Sequence, residues 1–270
     1  MQWNTICGKS GYIDMGFVQI PTYRLSEEEV ILFDTGIDTG EKLLGLLDQT
    51  GMRVRAVFCT HMHWDHIAAN EALVNRFGTQ VFAHADSVAD IKFSKTPTYP
   101  IRKLTDETRV EVDGAVIEIL PTPGHCTGHL AYVTPDGVCC LGDAMMAGQM
   151  LRESKMPYLE DVDLAIVTME QIRRTRYPFY ATSHKGVTPL EDMPALVDEN
   201  IKKELDLYDM LRQQITGPKP VDEVLAGLAQ AAGVRRNHGT GYIQGLGQAR
   251  LDVLVKAGEY YLADNRVIPR

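Results

Sequence analysis

The segment THMHWDH, from Thr60 to His66, carries three imidazoles and a carboxylate within seven residues: His61, His63, Asp65 and His66. Neutral imidazole mixed with carboxylate is the donor set that a borderline divalent metal such as zinc prefers. Packing explains the segment poorly, because burying so many polar groups without a common partner would leave several desolvation penalties uncompensated. More donors follow at long spacing: His125 in TPGH, Asp143 in LGDA and His184 in SHKG. Each stands after a β-rich run, so all of them can converge on one edge of the sheets.

The elements that must position these residues read as short strands alternating with helices, the pattern of an α/β or layered αββα domain. The run VILFDTG (30–36) is a buried strand ending in an aspartate and a turn. GEKLLGLLDQTG then has helical spacing and closes on Gly51, a C-cap residue. RAVFCTH (55–61) is a second buried strand that stops where the histidines begin, and VEVDGAVIEILPTPGH and LAYVTPDGVCCLGDA add further strands. The second pair turns at Pro135, Asp136 and Gly137.

From about Leu190 the texture changes to a long amphipathic helix, LVDENIKKELDLYDMLRQQI, ending at Gly217 and Pro218. VDEVLAGLAQAAG and GQARLDVLVKAG are two more helices, and EYYLADNRVIP is a hairpin turning at Asp264 and Asn265. The division expected is therefore a catalytic domain over 1–190 and a helical, winged-helix-like domain over 191–270. Such a module reads duplex DNA through a basic helix. The candidate helix offers only Arg250 and Lys256 against Asp252, with Arg235 and Arg236 before it. A role in walling off the pocket or building a homodimer interface is the better expectation.

The 270 residues, 44% hydrophobic, suffice to bury a large core. A formal net charge of −9 disfavours nonspecific nucleic-acid binding, which relies on Lys and Arg releasing counterions. Five cysteines make an odd count without framework spacing, which suits a reducing compartment. With no apolar leader and no run apolar enough to span a bilayer, the chain reads as soluble and cytoplasmic, with no membrane partner.

Taken in order, LFDTG, HMHWDH, GH at Gly124 and His125, GDA and SHKG resemble the five motifs of the metallo-β-lactamase superfamily, over roughly the first seven-tenths of the chain. The resemblance implies a four-layer αββα sandwich with the site at its open edge. It assigns His61, His63 and His125 to one metal, Asp65, His66 and His184 to a second, and Asp143 as the bridge. Asp34 would support the HxHxDH loop. The cofactors implied are two divalent ions, zinc by default, with manganese or iron compatible with the same donors. Two such ions share a water, lower its pKa and make a bridging hydroxide available as nucleophile, with Asp65 as the catalytic residue that handles its proton.

THMHWDH and TPGHCTGH resemble the glyoxalase II and general thioesterase or lactonase branches, although after Leu190 the chain lacks the basic signature of a glutathione-binding tail. The function expected is hydrolysis of a small ester, thioester or lactone. Alternatives are a phosphodiesterase or endoribonuclease, suggested by the tail, and an iron-dependent oxidoreductase. Histidine at positions 61, 63 and 66 favours the hydrolytic pattern over the redox one.

Single residues carry weaker expectations. His129 is read as a structural hydrogen bonder, His84 as a helix-start or surface residue, His238 as a loop residue and Trp64 as packing. Cys139 and Cys140 are read as buried thiols, and Cys126, beside a ligand, as packing. Met145 and Met146 in AMMAGQM, and Lys185 in SHKG, are weaker candidates for contacting substrate.

Overall fold

The structure, a computed structural model, describes residues 2–234 and 240–270. Arg235, Arg236 and His238 lie outside the described residues. One sheet contains β1 (Gln2–Cys7), β2 (Ser10–Asp14), β3 (Gln19–Arg24), β4 (Glu29–Phe33), β5 (Arg53–Phe58), β6 (Gln80–His84) and β7 (Arg102–Leu104), in that spatial order. Pairing is antiparallel from β1 to β4 and parallel from β4 to β7. A second sheet has the order β13-β12-β11-β10-β9-β8, from β8 (Arg109–Val112), β9 (Ala115–Pro121), β10 (Leu130–Val133), β11 (Val138–Gly142), β12 (Phe179–Thr182) and β13 (Gly186–Pro189).

Alternation along the strands explains why two apolar sheets make four layers. In β4, Ile31 and Phe33 point into the core between the sheets, while Val30 and Leu32 face outward against Leu43, Leu47 and Leu73. Those leucines belong to helices α1 (Glu41–Thr50) and, after the short α2 (Trp64–Ile67), α3 (Asn70–Phe77), which cover the outer face. In β11, Val138 and Cys140 face inward and Cys139 and Leu141 outward, so the paired thiols are buried in different layers. Between the sheets Phe58 stacks on Phe82 with ring centroids 4.5 Å apart. Each such buried ring contributes on the order of 2 kcal/mol.

After α4 (Ala85–Ala89), α5 (Gly148–Glu153) and α6 (Val162–Arg174), the chain continues through α7 (Met193–Gln214), β14 (Lys219–Pro220), α8 (Val221–Ala231), α9 (Thr240–Lys256) and the strands β15 (Tyr260–Ala263) and β16 (Arg266–Pro269). The last three strands form a small sheet in the order β14-β16-β15. Asp264 (φ 48°) and Asn265 (φ 57°) occupy the two left-handed positions of the tight hairpin turn. These helices do not stand apart. One core cluster runs from Ala131 and Leu141 in the second sheet through Met169, Leu207 and Leu228 to Leu254 and Val267.

Inside that cluster Arg250 of α9 is fully buried, paired with the buried Glu204 of α7 at 2.7 Å. The basic residue expected on the face of a recognition helix is therefore inside the core. Among the described residues no helix is long and apolar enough to cross a membrane.

Candidate metal centre

The strands β4, β5, β9, β11 and β12 each deliver a polar residue just past their final residue: Asp34, His61, His125, Asp143 and His184. Asp34 sits in the left-handed region (φ 66°), which turns its carboxylate back under the next loop. It accepts from the Thr60 backbone N–H at 2.7 Å and from the Thr60 hydroxyl at 2.8 Å, and lies 2.8 Å from His66 Nδ1. These bonds fix the loop and aim His66 Nε2 away from the carboxylate, into the site.

Among the described residues three overlapping donor groups result, one of them His61, His66 and Asp143. The ligand atoms of His61, His63, His125 and Cys126 lie within 4.8 Å of one another, as do those of Asp65, His66 and His184. Asp143 stands between them: its Oδ2 is 3.7 Å from His125 Nε2, 3.4 Å from His66 Nε2 and 3.3 Å from His184 Nε2. The donors fit a metal site because they face one another and three of their buried atoms make no hydrogen bond. His61 Nε2, His66 Nε2 and Asp143 Oδ1 are buried without a hydrogen bond, and His125 Nε2 faces His63 Nδ1 at 3.1 Å. Buried polar atoms are otherwise almost always paired.

The supports are specific. Gly124 has φ 125°, and a side chain there would collide with the backbone of Ala165 in α6, so the turn before His125 needs glycine. Gly142, before Asp143, has φ 55° and abuts the side chains of Thr60 and His129. His129 is a structural residue, as its place in the sequence suggested: Nε2 accepts from the Asp143 backbone N–H at 3.2 Å and Nδ1 lies 2.7 Å from the Thr122 hydroxyl. His84 caps α4, accepting from Asp86 N–H at 3.1 Å.

Charge is sorted across the site. Burial lowers His61 and His125 well below the ordinary imidazole value, and brings His63 and His129 to about 4. Burial would lower His66 too, but Asp143 and Asp34 beside its ring outweigh it and raise it well above the usual value. Burial likewise opposes the rise at His184, where Asp143 prevails. Asp143, despite burial, is held well below the carboxylate range by His184 and His66. The Cys126 thiol is pushed up, mainly by burial. The neutral imidazoles and the anionic Asp143 are in the protonation states a cation requires.

Above the donors lies a cleft of about 550 Å³ whose floor includes His63, Asp65, His125, Asp143 and His184. Its walls differ in part from the sequence reading. Met146 lines it, but Met145 is buried in the core against the C-terminal helices. Lys185 is exposed at a left-handed turn (φ 58°) and is not among the lining residues. Trp64, expected to be packed, is 52% exposed at the rim, because its place at the start of α2 points it out of the sheets. Phe17, Phe93 and Tyr158 also line the cleft and were missed. They lie in loops whose sequence carries no periodic or motif signal. Tyr158 has a second role, since its carbonyl lies 2.9 Å from His125 Nδ1.

The profile of the Metallo-beta-lactamase superfamily matches residues 15–214, and the chain belongs to that superfamily. The hydroxyacylglutathione hydrolase of Methylobacillus flagellatus is 34% identical over 113 residues, 40% of this chain and 42% of that protein. The hydroxyacylglutathione hydrolase of Thermosynechococcus vestitus is 33% identical over 109 residues, 40% of this chain and 41% of that protein. The chain thus spans about two-fifths of the curated relatives it matches. A metallo-beta-lactamase family protein of Thermus thermophilus superimposes with a TM-score of 0.75 at 19% identity, covering 96% of this chain and 97% of its own. A beta-lactamase domain protein from Burkholderia ambifaria gives 0.73 at 14% identity, covering 100% and 94%. These two share the fold along nearly the whole chain, the C-terminal helices included.

Proposed function

We propose that this protein hydrolyses a small ester, thioester or lactone with two divalent metal ions, zinc foremost. His61, His63 and His125 hold one ion, Asp65, His66 and His184 the other, and Asp143 is common to both. The observation that carries the reading is the set of donor groups around Asp143 at the floor of an open cleft, with His61 Nε2 and His66 Nε2 buried and making no hydrogen bond. When bound, such ions supply Lewis acidity and bring the pKa of water near neutrality. The chain's own residues do the rest. Asp65 is the more exposed of the two carboxylates, at 16% against 6% for Asp143, and so is placed to take the proton of the attacking water and return it to the leaving group. Asp34 holds the donors in place, and the buried edge keeps competing water from them.

Likeness to hydroxyacylglutathione hydrolases supports a thioester as one substrate form. We read residues 191–270 as a winged-helix-like unit packed on a catalytic unit of 1–190; the described residues that line the cleft all come from 1–190, so the expectation that the tail walls off the pocket is not met. Burial of Arg250 supports packing over duplex binding. Five free thiols fit a cytoplasmic place, and a homodimer remains part of the proposal. Elemental analysis with a parallel rate screen of thioester, lactone and bis-p-nitrophenyl phosphate tests the reading. About two metals per chain with turnover of the carbonyl substrates is expected; turnover confined to the phosphodiester would overturn it.

A further inference from the structure

Among the described residues, four of the large hydrophobic side chains that the fold leaves exposed are aromatic, and three of them gather at one place. Phe17 (49% exposed), Trp64 (52%) and Phe93 (43%) all line the cleft over the metal donors; Tyr261 is the fourth and does not. Exposed apolar patches of this kind mark binding sites. The rings are ordered against the floor: Phe93 meets His63 edge-on at 5.1 Å and Tyr158 at 5.3 Å, and Phe17 meets His184 at 4.8 Å. Met146, Met150 and Met156 continue the wall with side chains that adapt to the shape of an apolar guest. Among the described lining residues there is no lysine or arginine, so the rim offers a carboxylate or phosphate no long side-chain cation.

We infer that the rim formed by Phe17, Trp64 and Phe93 seats an alkyl or aryl group of the substrate, so that the substrate is an uncharged ester, thioester or lactone with an apolar acyl part. This rests on the hydrolase reading. It separates the protein from enzymes of glutathione thioesters, whose leaving group carries carboxylates that this wall leaves unpaired.

The test is a series of p-nitrophenyl esters from acetyl to decanoyl on the metal-loaded protein. kcat/KM is expected to rise about two- to fourfold per added methylene until the cleft is filled, the upper figure being a fully desolvated methylene. In Phe93→Ala the slope flattens; this residue lies on an exposed loop, and metal content is checked alongside. Turnover with a flat or falling series overturns the apolar seat and leaves the hydrolase reading standing. Absence of turnover on every p-nitrophenyl ester and also on thioester and lactone substrates overturns the hydrolase reading instead. The seat is then judged by binding alone: octanamide, and not acetamide, is expected to change the fluorescence of Trp64, with Trp64→Phe removing the signal from the Trp3 background. No response to octanamide overturns the seat.

A different observation carries a second inference. Arg250 Nη2 donates to the Pro157 carbonyl at 3.0 Å and to Glu204 Oε1 at 2.9 Å, in the heart of the C-terminal helices. The next residue, Tyr158, presents its carbonyl to His125 Nδ1. The geometry points to Arg250 as a positioning residue, which sets His125 toward the metal through the Pro157–Tyr158 backbone. A buried pair can be replaced by apolar residues without loss of fold, whereas breaking one partner leaves a buried charge. The informative variant is therefore the double change Glu204→Leu with Arg250→Met. The double variant is expected to unfold no more easily than the parent yet to bind zinc about tenfold more weakly in a chelator competition, with Arg250→Lys recovering part of the loss. Unchanged zinc affinity in a folded double variant overturns the inference.

Discussion

On the floor of the cleft, polar groups are tied to other polar groups across the two sheets: Asp34 alone engages Thr60, His66 and Ser183. The walls are the reverse. Phe17, Trp64 and Phe93 stand half exposed on loops or at a helix start, and make ring contacts more than hydrogen bonds. The floor is over-determined and the walls are not, which separates the part that performs chemistry from the part that chooses substrate.

The largest break in that comparison is expected on the floor. Asp65→Asn keeps the size of the side chain and removes its proton-accepting charge, so kcat should fall about 10²- to 10⁴-fold. Metal content by elemental analysis should fall much less. If rate and metal fell in proportion, Asp65 would be a ligand and nothing more.

Asp34→Ala comes next, because it touches no substrate. It leaves the Thr60 N–H, the Thr60 hydroxyl and His66 Nδ1 without their acceptor. Zinc affinity in a chelator competition should drop about 10- to 100-fold, as for other residues that orient metal ligands. An unchanged affinity would mean that the loop is held by the strands alone.

The same contrast explains what the sequence made legible. The convergence of the candidate donors could be read because metal chemistry demands particular residue types, and the strand ends because VILF and RAVF have no polar face. Cys139 and Cys140 could be placed in different layers from alternation alone. The apolar wall could not: Phe17, Phe93 and Tyr158 are brought to the cleft by loop paths that no spacing encodes. Met145 and Met146, adjacent in sequence, separate into core and cleft because the strand-end turn sends them opposite ways. Arg250 looked like a surface cation and proved to be buried, paired with a carboxylate that lies 46 residues away on another helix.

A smaller effect is expected from acid on the metal-free protein. His61, His63, His125 and His129 are all depressed in the folded state, so below pH about 6.5 the unfolded chain takes up protons that the folded one refuses. Stability from these four is present above that pH and lost as the pH falls. His66 and His184 are raised and act oppositely, their contribution being complete below pH about 6.5 and lost as the pH rises through their folded values. Below pH about 6.5 the two raised groups are protonated in both states, so the four depressed imidazoles alone predict a Tm that falls from pH about 6.5 to about 5, with stability lost at up to about 1.4 kcal/mol per pH unit for each proton. Asp143 does not enter this window, since its depressed value matters only at lower pH. Saturating zinc should flatten the upper part of the profile, because the metal holds these imidazoles unprotonated in the folded state.

The smallest effect is expected at Lys185, next to the proposed ligand His184 in sequence but outside the lining of the cleft. Its ammonium is exposed, so water and salt screen it from the site. Lys185→Ala should leave kcat/KM for a neutral ester within about twofold, with no change in its dependence on ionic strength. A loss that grows as salt is lowered, and that appears only with an anionic substrate, would show the lysine reaching over the rim to a charged group. The walls would then choose substrates by charge as well as by apolar contact, and the division between a polar floor and an apolar wall would fail at that edge.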